Sequence, residues 1–146
     1  MLVQPYLFFD GRCEEALNFY KTAIGAEVTA MMRFSDSPVP PSPEMCAGGS
    51  DAGKITGNHI MHANFRIGDT QVMASDGMAQ GKTEFKGFSL SITATDAAQA
   101  ERLFKALGEG GQVQMPMSET FFAHSFGMVA DRFGVSWMVI HPKPEK

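Results

Sequence analysis

A chain that repeats itself at half its length is confined to folds assembled from two copies of one unit, and this chain repeats. Ala16-Leu17-Asn18-Phe19-Tyr20-Lys21 precedes Gly25-Ala26-Glu27-Val28, and Ala100-Glu101-Arg102-Leu103-Phe104-Lys105 precedes Gly110-Gly111-Gln112-Val113. In each half an extended segment leads into an amphipathic helix, a glycine-bearing stop and further strands. The first helix has apolar positions at Cys13, Ala16, Leu17, Tyr20, Ala23 and Ile24, with Glu14 and Glu15 in its first turn and Gly25 as its stop. Asp10 is the expected N-cap. In the second helix Asp96 with Gln99 three residues on has capping-box spacing, ahead of Ala100, Leu103, Phe104 and Leu107, with Gly108 as the expected end.

Strand candidates surround the helices. They are Val3 to Phe9, Glu27 to Phe34, His59 to Ile67 and Gln71 to Ser75 in the first half. In the second half, from Phe88 onward, they include Gln112 to Met117, Phe122 to Ala130 and Val135 to His141. Gly68-Asp69 and Phe133-Gly134 supply the turns between the last two strands of each half. The order is βαβββ twice, an α+β fold of two tandem modules, about 1–80 and 85–146, in one domain spanning 1–146. Ser35 to Gly57 has no counterpart in the second half. It holds four of the chain's eight prolines and four glycines, which excludes a continuous helix or central strand. A loop of that length is a lid, a binding loop or a disordered insertion.

Composition excludes several functions. A formal charge of −4 with no Lys/Arg run gives no surface for nucleic acid or anionic membranes. No apolar run approaches the roughly 18 residues of a membrane span, and Met1 to Pro5 lacks a signal peptide's basic start, so a cytoplasmic protein is expected. The only cysteines, Cys13 and Cys46, match neither a metal knuckle nor a redox CxxC. Cys13, in the apolar stripe of its helix, reads as a buried thiol.

Alternation along the third strand sets Met61, Ala63, Phe65 and Ile67 against His62, Asn64 and Arg66 on the other face. If the apolar row packs under the helix, the polar trio is available to a ligand. His59 and His62, three apart on a strand, point to opposite faces and cannot share an ion without a bulge. In the second half Leu90, Ile92 and Ala94 form the helix-side row, and Ser89, Ser91 and Thr93 the other. Met138 and Ser136 are set opposite Trp137. His124, amid Phe121, Phe122, Phe126 and Met128, is a further ligand candidate or a structural histidine, and His141 is expected to cap the sheet at the surface. Glu119 is the carboxylate beside this aromatic run.

Pro5-Tyr6-Leu7-Phe8-Phe9-Asp10-Gly11-Arg12 with Glu14-Glu15-Ala16-Leu17-Asn18-Phe19-Tyr20 resembles the opening of PhnB-like proteins. These belong to the glyoxalase/bleomycin-resistance/extradiol-dioxygenase, or vicinal oxygen chelate, superfamily. His62-Ala63, Gly68-Asp69 through Met73-Ala74-Ser75-Asp76, and Asp131-Arg132-Phe133-Gly134-Val135-Ser136-Trp137 resemble the family's later landmarks. The resemblance implies paired modules around a central cavity, commonly in a homodimer. It also implies metal ligands on the first and last strand of each module. Carried onto this chain, those places hold Pro5, Ala74, Ser89 (or Phe88) and Met138, none a usual divalent-metal donor. The expectation is a small-molecule binding protein with no metal and no cofactor, contacting its ligand through His62, Asn64, Arg66, Ser89, Ser91, His124 and Met138. The alternatives are a lyase, isomerase or dioxygenase using unusual residues such as His62, Glu119 and His124, and a drug-sequestering resistance protein. A methyltransferase of the nucleotide-cofactor type is not supported, because no strand runs through a Gly-rich turn into a helix.

Overall fold

The computed structural model describes residues 1, 3–36, 58–77 and 85–144. The chain divides into two compact units, Met1–Thr83 and Glu84–Lys146. The first contains β1 (Tyr6–Phe8), α1 (Cys13–Ile24), β2 (Glu27–Arg33), a 3-10 turn at Phe34–Asp36, β3 (Ile60–Ile67) and β4 (Thr70–Ser75). The second contains β5 (Leu90–Thr93), α2 (Ala97–Gly108), β6 (Gln112–Ser118), β7 (Ala123–Ala130) and β8 (Ser136–Pro142). The sheet orders are β1-β4-β3-β2 and β5-β8-β7-β6. In both, the first strand runs parallel to the fourth and the other pairs are antiparallel. The fold is therefore α+β, two βαβββ modules of identical topology. Of the proline- and glycine-rich segment 35–57, residues 37–57 lie outside the described residues.

Each helix buries the stripe that its spacing dictates. Cys13, Ala16, Leu17 and Tyr20 of α1 are buried, and the Tyr20 ring stacks on Phe65 of β3 at 5.8 Å. Gly25 closes α1 at φ 70°, where a side chain would be strained. Ala100, Leu103 and Leu107 of α2 are buried over β7 and β8. There the approach is close enough to require a glycine. A methyl group on Gly127 would come within 2.6 Å of Met117 Sδ and 2.7 Å of the Phe104 ring.

Helix α1 departs from the expected cap. Asp10 sits at φ 51° and Arg12 is the residue at the N-cap, with no side-chain cap bond of its own. The first turn is held instead by Asp76, at the end of β4. Its Oδ1 accepts from the N–H of Gly11 at 2.7 Å and of Cys13 at 2.8 Å, and its Oδ2 from the N–H of Ile60 at 2.8 Å. Asp96 does cap α2, accepting from Gln99 N–H at 2.7 Å. Gln99 reaches one residue beyond the usual box, its Oε1 accepting from the Thr95 N–H at 2.7 Å. Gly108 lies inside α2, and the chain breaks away at Glu109 and Gly110. Asp131 fastens the β7–β8 turn. Its Oδ1 accepts from Phe133 and Val135 N–H, and its Oδ2 from the Trp137 indole N–H at 2.9 Å.

Strand β1 is shorter than expected. Only Tyr6–Phe8 pair as strand, although the Pro5 carbonyl still accepts from Met73 N–H, and Val3 is exposed. The pairing of β2 with β3 shifts register twice, as does that of β6 with β7.

Two outcomes follow. Asp76→Ala strands three N–H groups, two of them buried, and should cost about 4 kcal/mol in urea unfolding, a drop of roughly 10 °C in Tm. Asp10→Gly, which suits the φ of 51° and removes the side-chain acceptor, should cost under about 1 kcal/mol; a loss equal to that of Asp76→Ala would show that Asp10 is the true cap. Burial, then the Asp76 and Glu14 charges, push the Cys13 thiol far above its ordinary value. In a Cys46→Ser background, Cys13 should react with a thiol reagent only upon unfolding, and fast reaction in the folded protein would refute its burial.

Candidate functional site

Strand alternation decides which side chains face away from α1. On β3, Ala63 and Phe65 are buried beneath the helix, so His62, Asn64 and Arg66 lie on the helix-distal face, as the pattern requires. Cross-strand pairing carries that face across the sheet: Tyr6 stands opposite Met73, Met73 opposite Asn64, and Asn64 opposite Ala30. The next position along includes Phe8, whose ring stacks on Tyr6 at 4.9 Å.

A polar chain runs over this face. The Tyr6 hydroxyl lies 2.8 Å from His62 Nδ1, and His62 Nε2 lies 3.1 Å from Asn64 Oδ1. An amide oxygen only accepts, so Nε2 carries the proton. In the neutral ring Nδ1 is then the acceptor and Tyr6 donates to it. Burial pushes the Tyr6 phenol above its ordinary value, with a Ser75 hydrogen bond opposing the shift, so the hydroxyl holds its proton at neutral pH. Two groups at the ends of the chain stay available: the Asn64 NH₂ and a lone pair on the Tyr6 oxygen.

Arg66 shares the face but is engaged. Its guanidinium contacts the Glu27 carboxylate at 2.7 Å, both side chains being largely exposed. The pair lies along the sheet surface, on the distal side that parity assigned.

In the second module Leu90, Trp137, Val139 and Val129 take the helix side. The distal face carries Ser91 opposite Met138, Met138 opposite Met128, and Met128 opposite Met115. Beside this methionine row, Ser136 donates to Gln114 Oε1 at 3.2 Å. Its oxygen therefore accepts from Ser89 at 2.7 Å. The structure brings Ser89, Ser91 and Met138 together on one face. His124 does not join them; its ring lies 5.2 Å from that of His141, which shares the helix-side parity of Val139 and Trp137. Glu119 is held by Lys143 at 3.1 Å.

The places inferred for metal ligands need correction in the first module. Ala74 is buried opposite Leu7 and Ala63, on the helix side, and Pro5 precedes Tyr6 outside the strand. The distal-face residues of β1 and β4 are instead Tyr6 and Met73, and of β5 and β8, Ser91 and Met138. Phenol, thioether and hydroxyl donors do not fit a divalent ion of the usual kind. Among the described residues, no three His, Cys, Asp or Glu side chains converge on a point.

Sequence reasoning passed over Tyr6, Gln114, Asp76 and Asp131 as chemical groups. Tyr6 carried a signal, since its parity relative to Leu7 and Phe9 sets it apart from the buried row.

The chain matches the family described as 3-demethylubiquinone-9 3-methyltransferase over residues 2–140. It is 37% identical over 141 residues to protein YjdN of Escherichia coli K12, covering 95% of this chain and 94% of that one. Among solved structures, PA1353 of Pseudomonas aeruginosa is 44% identical with a TM-score of 0.78, covering 97% of each chain. A PhnB protein of Bacillus cereus superposes with a TM-score of 0.75 at 24% identity, covering 97% of this chain and 99% of that one. More distant structures, a glyoxylase/bleomycin resistance protein/dioxygenase domain of Frankia and a fosfomycin resistance protein of Mesorhizobium loti, share the fold alone. The duplicated βαβββ modules and these matches together make the chain a member of the PhnB-like family, the one whose model carries the methyltransferase description.

Proposed function

We propose that this protein binds a small molecule on the helix-distal face of its first sheet, without a metal at the superfamily's ligand positions. The observation that carries this reading is the Tyr6–His62–Asn64 chain. Its bonds fix three side-chain orientations and one tautomer of the neutral imidazole in advance, which lowers the ordering cost of binding. The free Asn64 NH₂ suits an acceptor oxygen, such as a carbonyl, carboxylate or phosphoryl group. Phe8 and Met73 beside it suit the apolar remainder of a ligand. In the second module, Ser89, Ser91 and Met138 form a second contact surface of small hydroxyls and adaptable thioether.

A second reading is favoured by the same pair: a proton-transfer enzyme of the lyase or isomerase class. The Tyr6 hydroxyl already points its proton at His62 Nδ1, which is general acid–base geometry. The methyl transfer in the family's description lacks support in the strand order. The strands flanking each helix lie at opposite edges of their sheet rather than side by side as in a nucleotide-binding βαβ unit.

A homodimer is part of the proposal. Phe121 is 92% exposed and Phe122 41%, an edge-to-face aromatic pair with 5.1 Å between centroids, and such surface is commonly covered by a partner. A cytoplasmic location is proposed as well; among the described residues no helix is long and apolar enough to cross a membrane.

A thermal-shift screen of small carbonyl, carboxylate and phosphoryl compounds, with cationic antibiotics as a second arm, should yield a ligand from the first set that binds in EDTA. Tyr6→Phe and Asn64→Ala should each weaken it about tenfold, near 1.4 kcal/mol, while Arg66→Ala, already paired to Glu27, should weaken it less. Hits confined to cationic compounds, or affinity insensitive to Tyr6 and Asn64, would remove the proposed site; turnover abolished by His62→Ala would decide for the enzyme. Light scattering should give the dimer mass at micromolar concentration, and Phe121→Ser should shift it toward monomer; a monomeric parent would refute the interface.

A further inference from the structure

The second sheet holds a pair of histidines that the proposed ligand site does not use. Pairing of β7 with β8 sets Ala123 opposite Pro142 and Ser125 opposite His141, with a register shift between them. His124 is the extra residue of that bulge, and bulges re-aim side chains. Its ring comes to rest with its centroid 5.2 Å from that of His141 and the planes inclined by 34°. Two imidazoles that share one first-row cation, each nitrogen at about 2.0–2.1 Å from the ion, have ring centres about 5 Å apart. The rings are therefore already at chelating separation.

A second observation concerns His141 itself. Its Nδ1 is buried and finds no hydrogen-bond partner, a state that native structures rarely leave unanswered. No group in the described residues fixes its tautomer, so either nitrogen is free to present a lone pair. Glu119, the carboxylate that precedes β7 in the chain, is tied to Lys143 at 3.1 Å. Among the described residues no third His, Cys, Asp or Glu completes a closed site.

We propose that His124 and His141 form an open, two-histidine site for a borderline first-row cation of the Ni(II), Cu(II) or Zn(II) type, with the remaining coordination positions left to water or an exogenous ligand. The site lies on the helix side of β8, apart from the distal-face positions implied by the superfamily, and does not depend on the ligand site of the first module.

The test uses the untagged full chain with Cys46→Ser, to remove a competing thiol, titrated with Ni(II) by calorimetry. The expected result is about one equivalent bound, with His124→Ala and His141→Ala each weakening affinity at least tenfold and His62→Ala leaving it unchanged. Should a variant fail to fold, imidazole ¹H–¹⁵N spectra of the parent protein decide the matter: substoichiometric Ni(II) should broaden the His124 and His141 resonances before those of His59 and His62. Broadening led by His59 or His62, loss in only one of the two variants, or affinity insensitive to both would overturn the shared site.

Discussion

Three backbone N–H groups converge on one buried carboxylate, that of Asp76, and much of the first module's geometry depends on it. A charge removed from water is tolerated only when hydrogen bonds replace its hydration, and here Gly11, Cys13 and Ile60 do so. Those donors belong to the approach to α1, its first residue and the first residue of β3. Asp76 is thus where helix and sheet are fastened at one end. The same bond bears on the candidate site. By holding Ile60, it pins the start of the strand that carries His62, Asn64 and Arg66, and a slip of one residue there would turn all three beneath the helix.

The second module reaches the same topology with other fasteners. Its helix is capped locally by Asp96, and its buried carboxylate, Asp131, is moved to the β7–β8 turn, where it accepts from the Trp137 indole. In the first module the corresponding turn carries Gly68 and the exposed Asp69. Duplication preserved the order of the strands and left each copy free to redistribute its polar anchors. The distal faces diverged too, toward a phenol–imidazole–amide chain in one copy and a methionine row in the other.

What the sequence disclosed follows from the range of the interactions involved. The repeat, both helices, the turn at Gly68 and the parity of β3 and β8 all rest on contacts between near neighbours, and each is visible as spacing. Asp10 was a reasonable cap because caps are usually local; Asp76 lies 63 residues beyond Cys13, and no spacing rule reaches that far. Ala74 and Pro5 fell on the wrong face because each stands beside apolar residues of either parity, Val72-Met73 before Ala74 and Leu7-Phe8-Phe9 beyond Pro5, where the Tyr6 hydroxyl alone marks a face. The pairing of His124 with His141 needed a bulge, which is a property of two strands together and has no signature in either alone.

The outer strands of the two sheets have a common feature. Unpaired strand edges invite neighbouring chains to add on through their backbones. At one side of each sheet the edge is only three or four residues long, β1 and β5; at the other it is broken by two register shifts, in β2 and again in β6, where Pro116 also lacks a donor. Among the described residues none of these four strands offers a long, regular row of free N–H and C=O groups. The described edges are therefore poor templates for cross-strand growth, and they leave recognition between copies to side-chain shape rather than to the indiscriminate grammar of the peptide backbone.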